Sequence, residues 1–213
     1  MEECISVFDM LKIGVGPSSS HTLGPWRAAE RFLEELRQDF DLNSITRVKV
    51  DLYGSLSLTG KGHATDLAVM LGLSGQDPEY IPVQDIDGII KAIENNHLIQ
   101  LGNEKALPFY ILQDIVFHKE FLPFHANGLT FTAFFENETE YASTFYSIGG
   151  GFVVKEERSN AKKKIAIKCA FPFPINNAAE LLDYTQKENK SISEIVYANE
   201  ISMRPEAEVH SEL

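Results

Sequence analysis

"LTFTAFFE" (Leu129–Glu136) and "EYASTFYSI" (Glu140–Ile148) decide the fold, because both are crowded with the aromatic and β-branched residues that suit a half-buried pleated surface. "YILQDIVF" (Tyr110–Phe117) has the same character, and Asn127-Gly128 between apolar runs is a hairpin-turn dipeptide. "GGGFVV" (Gly149–Val154) and "KIAIKCAF" (Lys164–Phe171) read as two more strands around "KEERSNAKKK" (155–164), a charged turn expected to be a solvated hairpin tip and not a binding patch. The expectation is a mostly antiparallel sheet with aromatic residues in its core.

Working outward, "TRVKVDLY" (Thr46–Tyr53) alternates Val48, Val50 and Leu52 with Arg47, Lys49 and Asp51, the period of a strand with one buried face. Ahead of it, Leu23, Trp26, Ala29, Phe32, Leu33, Leu36 and Phe40 recur at three- and four-residue steps, with Arg27, Glu30, Arg31, Glu34 and Arg37 on the other face. That is an amphipathic helix. Pro25 is tolerated only in its first turn, so the helix begins between Ser20 and Gly24. Asp66–Leu73 reads as a short buried helix, Gly75–Gln84 as a connector, and Ile86–Ile93 as helical. Asn177 with Glu180 and Ser191 with Glu194 mark two further helix starts, each a capping side chain three residues before a carboxylate. "MRPEAEVHSEL" (Met203–Leu213) is polar, contains Pro205 and carries no packing signal, so a linker is expected from 204 onward. The class is α+β.

The chain has 213 residues, 44% hydrophobic and 23% charged, the balance of an ordinary soluble globular protein. A formal charge of -12 opposes encounter with nucleic acid or an anionic membrane surface. "MEECISVFDM" has no basic start followed by an apolar stretch, and no run approaches the ~20 apolar residues that span a bilayer, so a cytoplasmic location is expected. Cys4 and Cys169 are far apart and lack CxxC spacing; they read as two free thiols, with no metal site of their own.

Two polar clusters carry the candidate chemistry. In "GVGPSSSHTLGPW" (Gly14–Trp26), Ser18, Ser19, Ser20, His21 and Thr22 sit at a helix start, where free N–H groups and the helix dipole attract a carboxylate or phosphate. The glycines let the backbone approach closely and Pro17 stiffens the entry; the alternative is a simple N-cap, for which one serine suffices. The second cluster, "GSLSLTGKGHATD" (Gly54–Asp66), follows a strand but fails as a phosphate-binding loop. Five residues separate Gly54 from Gly60, and Gly62 stands where a magnesium-binding hydroxyl is required. What remains is a flexible hydroxyl-rich loop with Lys61 and His63 at its tip, where His63 is either an acid–base group or an exposed turn residue. His125, before Asn127-Gly128, reads by itself as structural, and His97, His118 and His210 receive no role. Gly149–Gly151 suggests a bulge or a close approach of backbone to a ligand or partner domain. No Asp-His-Ser arrangement is legible, which disfavours an unrelated hydrolase or isomerase.

Together "ISVFDMLKIGVGPSSSHTLGPWRAA", "VDLYGSLSLTGKGHATDLAVMLGL", "LPFHANGL", "YSIGGGFVV" and the late "ELL" segment resemble the N-terminal, or beta, domain of the bacterial iron-sulfur L-serine dehydratases (L-serine ammonia-lyases). The resemblance runs over essentially the whole chain, with 1–203 as the beta domain and 204–213 leading toward a C-terminal alpha domain. It implies a cytoplasmic enzyme of amino-acid catabolism and gluconeogenesis that converts L-serine to pyruvate and ammonia. It also implies a 4Fe-4S cluster held by the alpha domain, an iron of which acts as a Lewis acid on the serine hydroxyl while a base takes the α-proton. This chain is then inactive alone and supplies one wall of the site: Ser18, Ser19, Ser20, Thr22 and Lys61 toward the substrate, and His63, His21 and His125 as candidate proton-moving groups. A homo-oligomer is expected. The domain is also similar to the allosteric substrate-binding domain of some phosphoglycerate dehydrogenases, which implies the alternative of a regulatory module that binds serine or another carboxylate without catalysis.

Overall fold

A computed structural model describes residues 6–10, 12, 14–156 and 171–212. The chain forms two compact units, Ile13–Ser159 and, separately, Met1–Lys12 with Asn160–Leu213. The short helix α1 (Val7–Met10) belongs to the latter.

In the larger unit a π-type turn (Ser19–Leu23) runs directly into helix α2 (Gly24–Asp39), with Pro25 in the first turn where its missing N–H costs nothing. The start and the buried stripe are those the sequence predicts: Trp26, Ala29, Phe32, Leu33 and Leu36 are all buried. Strand β1 (Ile45–Leu52) follows, then the short helix α3 (Ser55–Leu58), a 3-10 turn (Gly60–His63), and helices α4 (Thr65–Leu73) and α5 (Val83–Asn96). A small hairpin, β2 (Leu98–Leu101) with β3 (Lys105–Pro108), leads to α6 (Ile111–Asp114), β4 (Ile115–Phe117), β5 (Gly128–Phe135), β6 (Glu140–Gly149) and β7 (Phe152–Lys155). The main sheet has the order β4-β1-β5-β6-β7, antiparallel throughout except for the parallel β1–β4 pair.

Register puts Leu52, Val50 and Val48 opposite Leu129, Phe131 and Ala133, so one face of the sheet is continuously apolar. Helix α2 lies on that face: the Phe32 ring stacks on Phe131 at 5.1 Å. Burying a side chain of that size contributes about 2–3 kcal/mol. Glu35 braces the same contact, accepting from Tyr141 Oη, Ser143 Oγ and Lys155 Nζ at 2.7–2.9 Å.

Two local expectations change. Tyr110–Phe117 is not one strand, because the Asp114 carboxylate accepts from the Tyr110 N–H and from Arg47, winding Ile111–Asp114 into a helical turn before β4. Asn127-Gly128 is not a hairpin turn; it enters β5, Gly128 pairs with Tyr146, and the β5–β6 turn lies at Glu136–Thr139 with Glu138 at φ 63°. Gly149–Gly151 does contain an irregularity in the β6–β7 ladder, between Ser147 and Gly149. The proposed strand over 164–171 and the charged turn over 155–164 lie almost entirely outside the described residues.

The smaller unit holds α7 (Ala178–Glu188), α8 (Ile192–Met203) and α9 (Glu206–Glu212). Both predicted caps are present: the Asn177 side chain accepts from the Glu180 N–H, and Ser191 and Glu194 form a reciprocal capping box. Adjacent residues of α8 clamp two incoming segments. Asn199 bonds both backbone groups of Phe173, and Glu200 accepts from Ser6 Oγ and the Val7 N–H. The stretch expected to begin a linker is helical at 206–212, with Val209 buried.

Candidate active site

The site is built where the start of α2 meets the end of β1. Ser18 caps the π-type turn, its Oγ accepting from the His21 N–H at 3.2 Å. Inside the turn the His21 ring is held on both sides: Nδ1 lies 2.9 Å from Ser20 Oγ, and Nε2 lies 3.0 Å from Ser55 Oγ. Ser20 Oγ is in turn 3.4 Å from Ser18 Oγ. Ser19 is exposed at the outer edge of the turn.

Gly54–Asp66, expected as a loop, is wound into α3 and the 3-10 turn, with Leu56 buried beneath it. Gly54 is required at its entrance. Its φ is +54°, and a Cβ there would lie 2.4 Å from the Ala126 carbonyl oxygen. That close approach lets the Ser55 N–H donate to the same carbonyl at 2.9 Å.

Two threonines then lace the clusters together. Thr22 Oγ1 donates to the His63 carbonyl at 2.9 Å, and Thr65 Oγ1 donates to the His21 carbonyl at 2.6 Å. Each histidine is thereby anchored by a hydroxyl from the other's segment, and the rings face each other at 5.1 Å. Ala64, between His63 and Thr65, sits in the left-handed region at φ 56°, a strained conformation for a residue with a Cβ. Burial, then the facing His63, push the His21 pKa below its ordinary value, against a smaller upward pull from the Ser55 backbone. Among the described residues the His63 ring has no hydrogen-bond partner.

Of the residues singled out from sequence, the structure brings Ser18, Ser20, His21, Thr22 and His63 into one cluster. Thr22 is buried and its hydroxyl hydrogen is committed to His63. The Lys61 backbone lies in the same turn as His63. His125 joins through its loop: its Nδ1 accepts from the Asn127 N–H, and the neighbouring Ala126 carbonyl holds Ser55. Sequence reasoning missed Ser55, Thr65 and Ser147. Ser147 Oγ donates to the Ser20 carbonyl at 2.7 Å, and Ser147 is itself held by Asn127. Thr65 lies within the quoted Gly54–Asp66 motif, but only pairing with a segment 44 residues away reveals its role.

The other histidines have partners that sequence could not show. His118 Nε2 lies 2.6 Å from Asp51 Oδ1 and its ring stacks on Tyr53; His97 stacks on Tyr110, and His210 contacts Tyr197. Tyr146, beside Ser147, has its pKa pushed up to about 12 by burial and by its bond to Glu156. Among the described residues no group of three or more His, Cys, Asp or Glu side chains converges as a metal site, and Cys4 and Cys169 lie outside them. The described residues therefore supply no ligand set for an iron-sulfur cluster. Among them, no helix is long and apolar enough to cross a membrane.

A family model of the serine dehydratase beta chain matches residues 6–158, and the chain belongs to that family. It is 39% identical over 211 residues to the L-serine dehydratase of Haemophilus influenzae, covering 98% of this chain and 46% of that protein. It is 41% identical over 206 residues to L-serine dehydratase 1 of Escherichia coli (96% and 45%), and 40% identical over 211 residues to the L-serine dehydratase of Streptomyces coelicolor (98% and 46%). The chain thus spans slightly less than half the length of these relatives.

Proposed function

We propose that this chain forms one wall of an L-serine ammonia-lyase active site, completed by a companion alpha domain that carries a 4Fe-4S cluster. The observation that supports it most is the His21–His63 pair, fixed by reciprocal threonine bonds beside a serine-rich helix start. The reaction removes the α-proton and the hydroxyl of serine as water, giving aminoacrylate, whose imine tautomer hydrolyses to pyruvate and ammonia. In that scheme the hydroxyls of Ser18 and Ser19, with Lys61, receive the substrate carboxylate at the helix start. His63 takes the α-proton, because its ring is free of hydrogen bonds among the described residues whereas both nitrogens of His21 are engaged. His125, from the adjoining loop, borders the same wall. The assembled enzyme is a cytoplasmic homo-oligomer on this reading.

The test is serine-dependent pyruvate release after anaerobic iron-sulfur reconstitution, with this chain alone and with a separately supplied alpha domain. Activity is expected only in the mixture, and His63→Ala lowers kcat by about 10²-fold or more while the cluster spectrum is unchanged. Near-normal turnover would remove His63 from the mechanism. An inactive mixture in which the chain still binds serine would favour a regulatory binding module.

A further inference from the structure

We propose that Ser55 is a positioning residue for His21, and that Ser20, His21 and Ser55 act as one hydrogen-bonded chain. The inference rests on the lyase reading for its catalytic consequence, but its structural content stands on this chain alone.

A neutral imidazole has one N–H and one lone pair, so with a hydroxyl at each nitrogen one side donates to the ring and the other accepts from it. Ser55 Oγ faces His21 Nε2 at 3.0 Å and Ser20 Oγ faces Nδ1 at 2.9 Å, so the ring is held between two hydroxyls. In the proposed arrangement the ring hydrogen sits on Nε2 and points at Ser55, and Nδ1 takes the Ser20 hydroxyl hydrogen. The order hydroxyl, imidazole, orienting group is the one that activates a hydroxyl in many unrelated enzymes.

Ser55 is suited to the role because its place is over-determined. Gly54 admits no side chain, the Ser55 N–H is bound to Ala126, and the Ser55 carbonyl accepts from the Thr59 N–H. The Ser20 end is equally fixed, since its carbonyl receives Ser147 Oγ. His63 is the titratable group facing the ring, and the His21 pKa depression it shares with burial keeps His21 neutral near pH 7.

The consequence for ligand binding is specific. With its hydrogen committed to Nδ1, Ser20 Oγ presents lone pairs outward and acts as an acceptor. It then serves the ammonium or hydroxyl hydrogens of an amino-acid substrate, while the carboxylate is left to Ser18 and Ser19. A proton arriving at Ser20 Oγ releases the Ser20 hydrogen to His21 Nδ1: one O–H bond forms, another breaks, an N–H bond forms, and the positive charge comes to rest on the imidazolium.

The experiment is long-range proton–nitrogen correlation on the ¹⁵N-histidine-labelled chain, which distinguishes the protonated from the bare ring nitrogen. The wild type is expected to show His21 as the Nε2–H tautomer. Ser55→Ala is expected to move the tautomer ratio toward Nδ1–H by about fivefold, the weight of one hydrogen bond, and Ser55→Thr to restore it. A thermal melt of each variant separates these effects from misfolding. In the assembled lyase, Ser55→Ala is expected to lower kcat about tenfold with KM for serine nearly unchanged, and Ser55→Thr to recover it. A wild-type Nδ1–H tautomer, or a ratio indifferent to Ser55→Ala, overturns the proposal; so does a shifted ratio with unaltered kcat. If the wild-type assembly has no lyase activity, the functional reading fails and the nitrogen spectra alone decide the Ser55–His21 link.

Discussion

Gly24 shows how tightly single residues are constrained around the site. A Cβ there would lie 1.9 Å from Ser147 Oγ, the atom that donates to the Ser20 carbonyl. Alanine in place of glycine normally gains about 1 kcal/mol in a helix. Here that gain is opposed by overpacking of about 1–3 kcal/mol and the loss of a part-buried hydrogen bond worth about 1 kcal/mol. Gly24→Ala is therefore expected to destabilise the protein by about 1–3 kcal/mol in urea unfolding. Combining it with Ser147→Gly removes the clash and recovers part of that loss; a fully additive double variant would show that the contact is not the cause. The residue types at the site were legible because serine, histidine and glycine in one short stretch are chemically conspicuous. Their pairings were not, since Thr22 with His63 and Ser55 with His21 join positions 41 and 34 residues apart.

Elements were legible in proportion to how local their causes are. Pro25 and the apolar stripe placed α2, and two carboxylates three residues after a capping side chain placed α7 and α8, because caps act within one turn. Ser191→Ala removes one arm of the capping box and is expected to cost about 1 kcal/mol, read as a lowered midpoint by helix-sensitive circular dichroism. An unchanged midpoint would refute the cap as a source of stability. Where the reading failed, a distant partner overrode local preference: Arg47 on β1 holds Asp114, and Asn127 Nδ2 binds the Ser147 carbonyl, so a strand-like run becomes a turn and a turn-like pair enters a strand. The parallel β1–β4 pair spans only three residue partners, too short to leave a pattern.

At the scale of the whole molecule, the half-buried His21 makes folding stability depend on pH. His21 has a native pKa below its ordinary value of 6.5, owing first to burial and then to His63. Below 6.5 the unfolded chain takes up a proton that the native chain refuses, so unfolding becomes more favourable as pH falls. The stability is fully present above 6.5 and is lost as pH drops from there toward the lowered native value. Glu180 and Glu194, whose pKa values are lowered by hydrogen bonds from Asn176 and Ser191, act in a separate window below 4.5. Half-buried Glu30, with a pKa raised by desolvation, works in the opposite sense. The difference between wild type and His21→Gln isolates the histidine, since the carboxylates are common to both. The wild-type melting temperature is expected to fall more steeply than that of His21→Gln between pH 6.5 and about 5. Parallel curves would mean that His21 titrates alike in the native and unfolded chains, and would remove the basis for a neutral imidazole in the site.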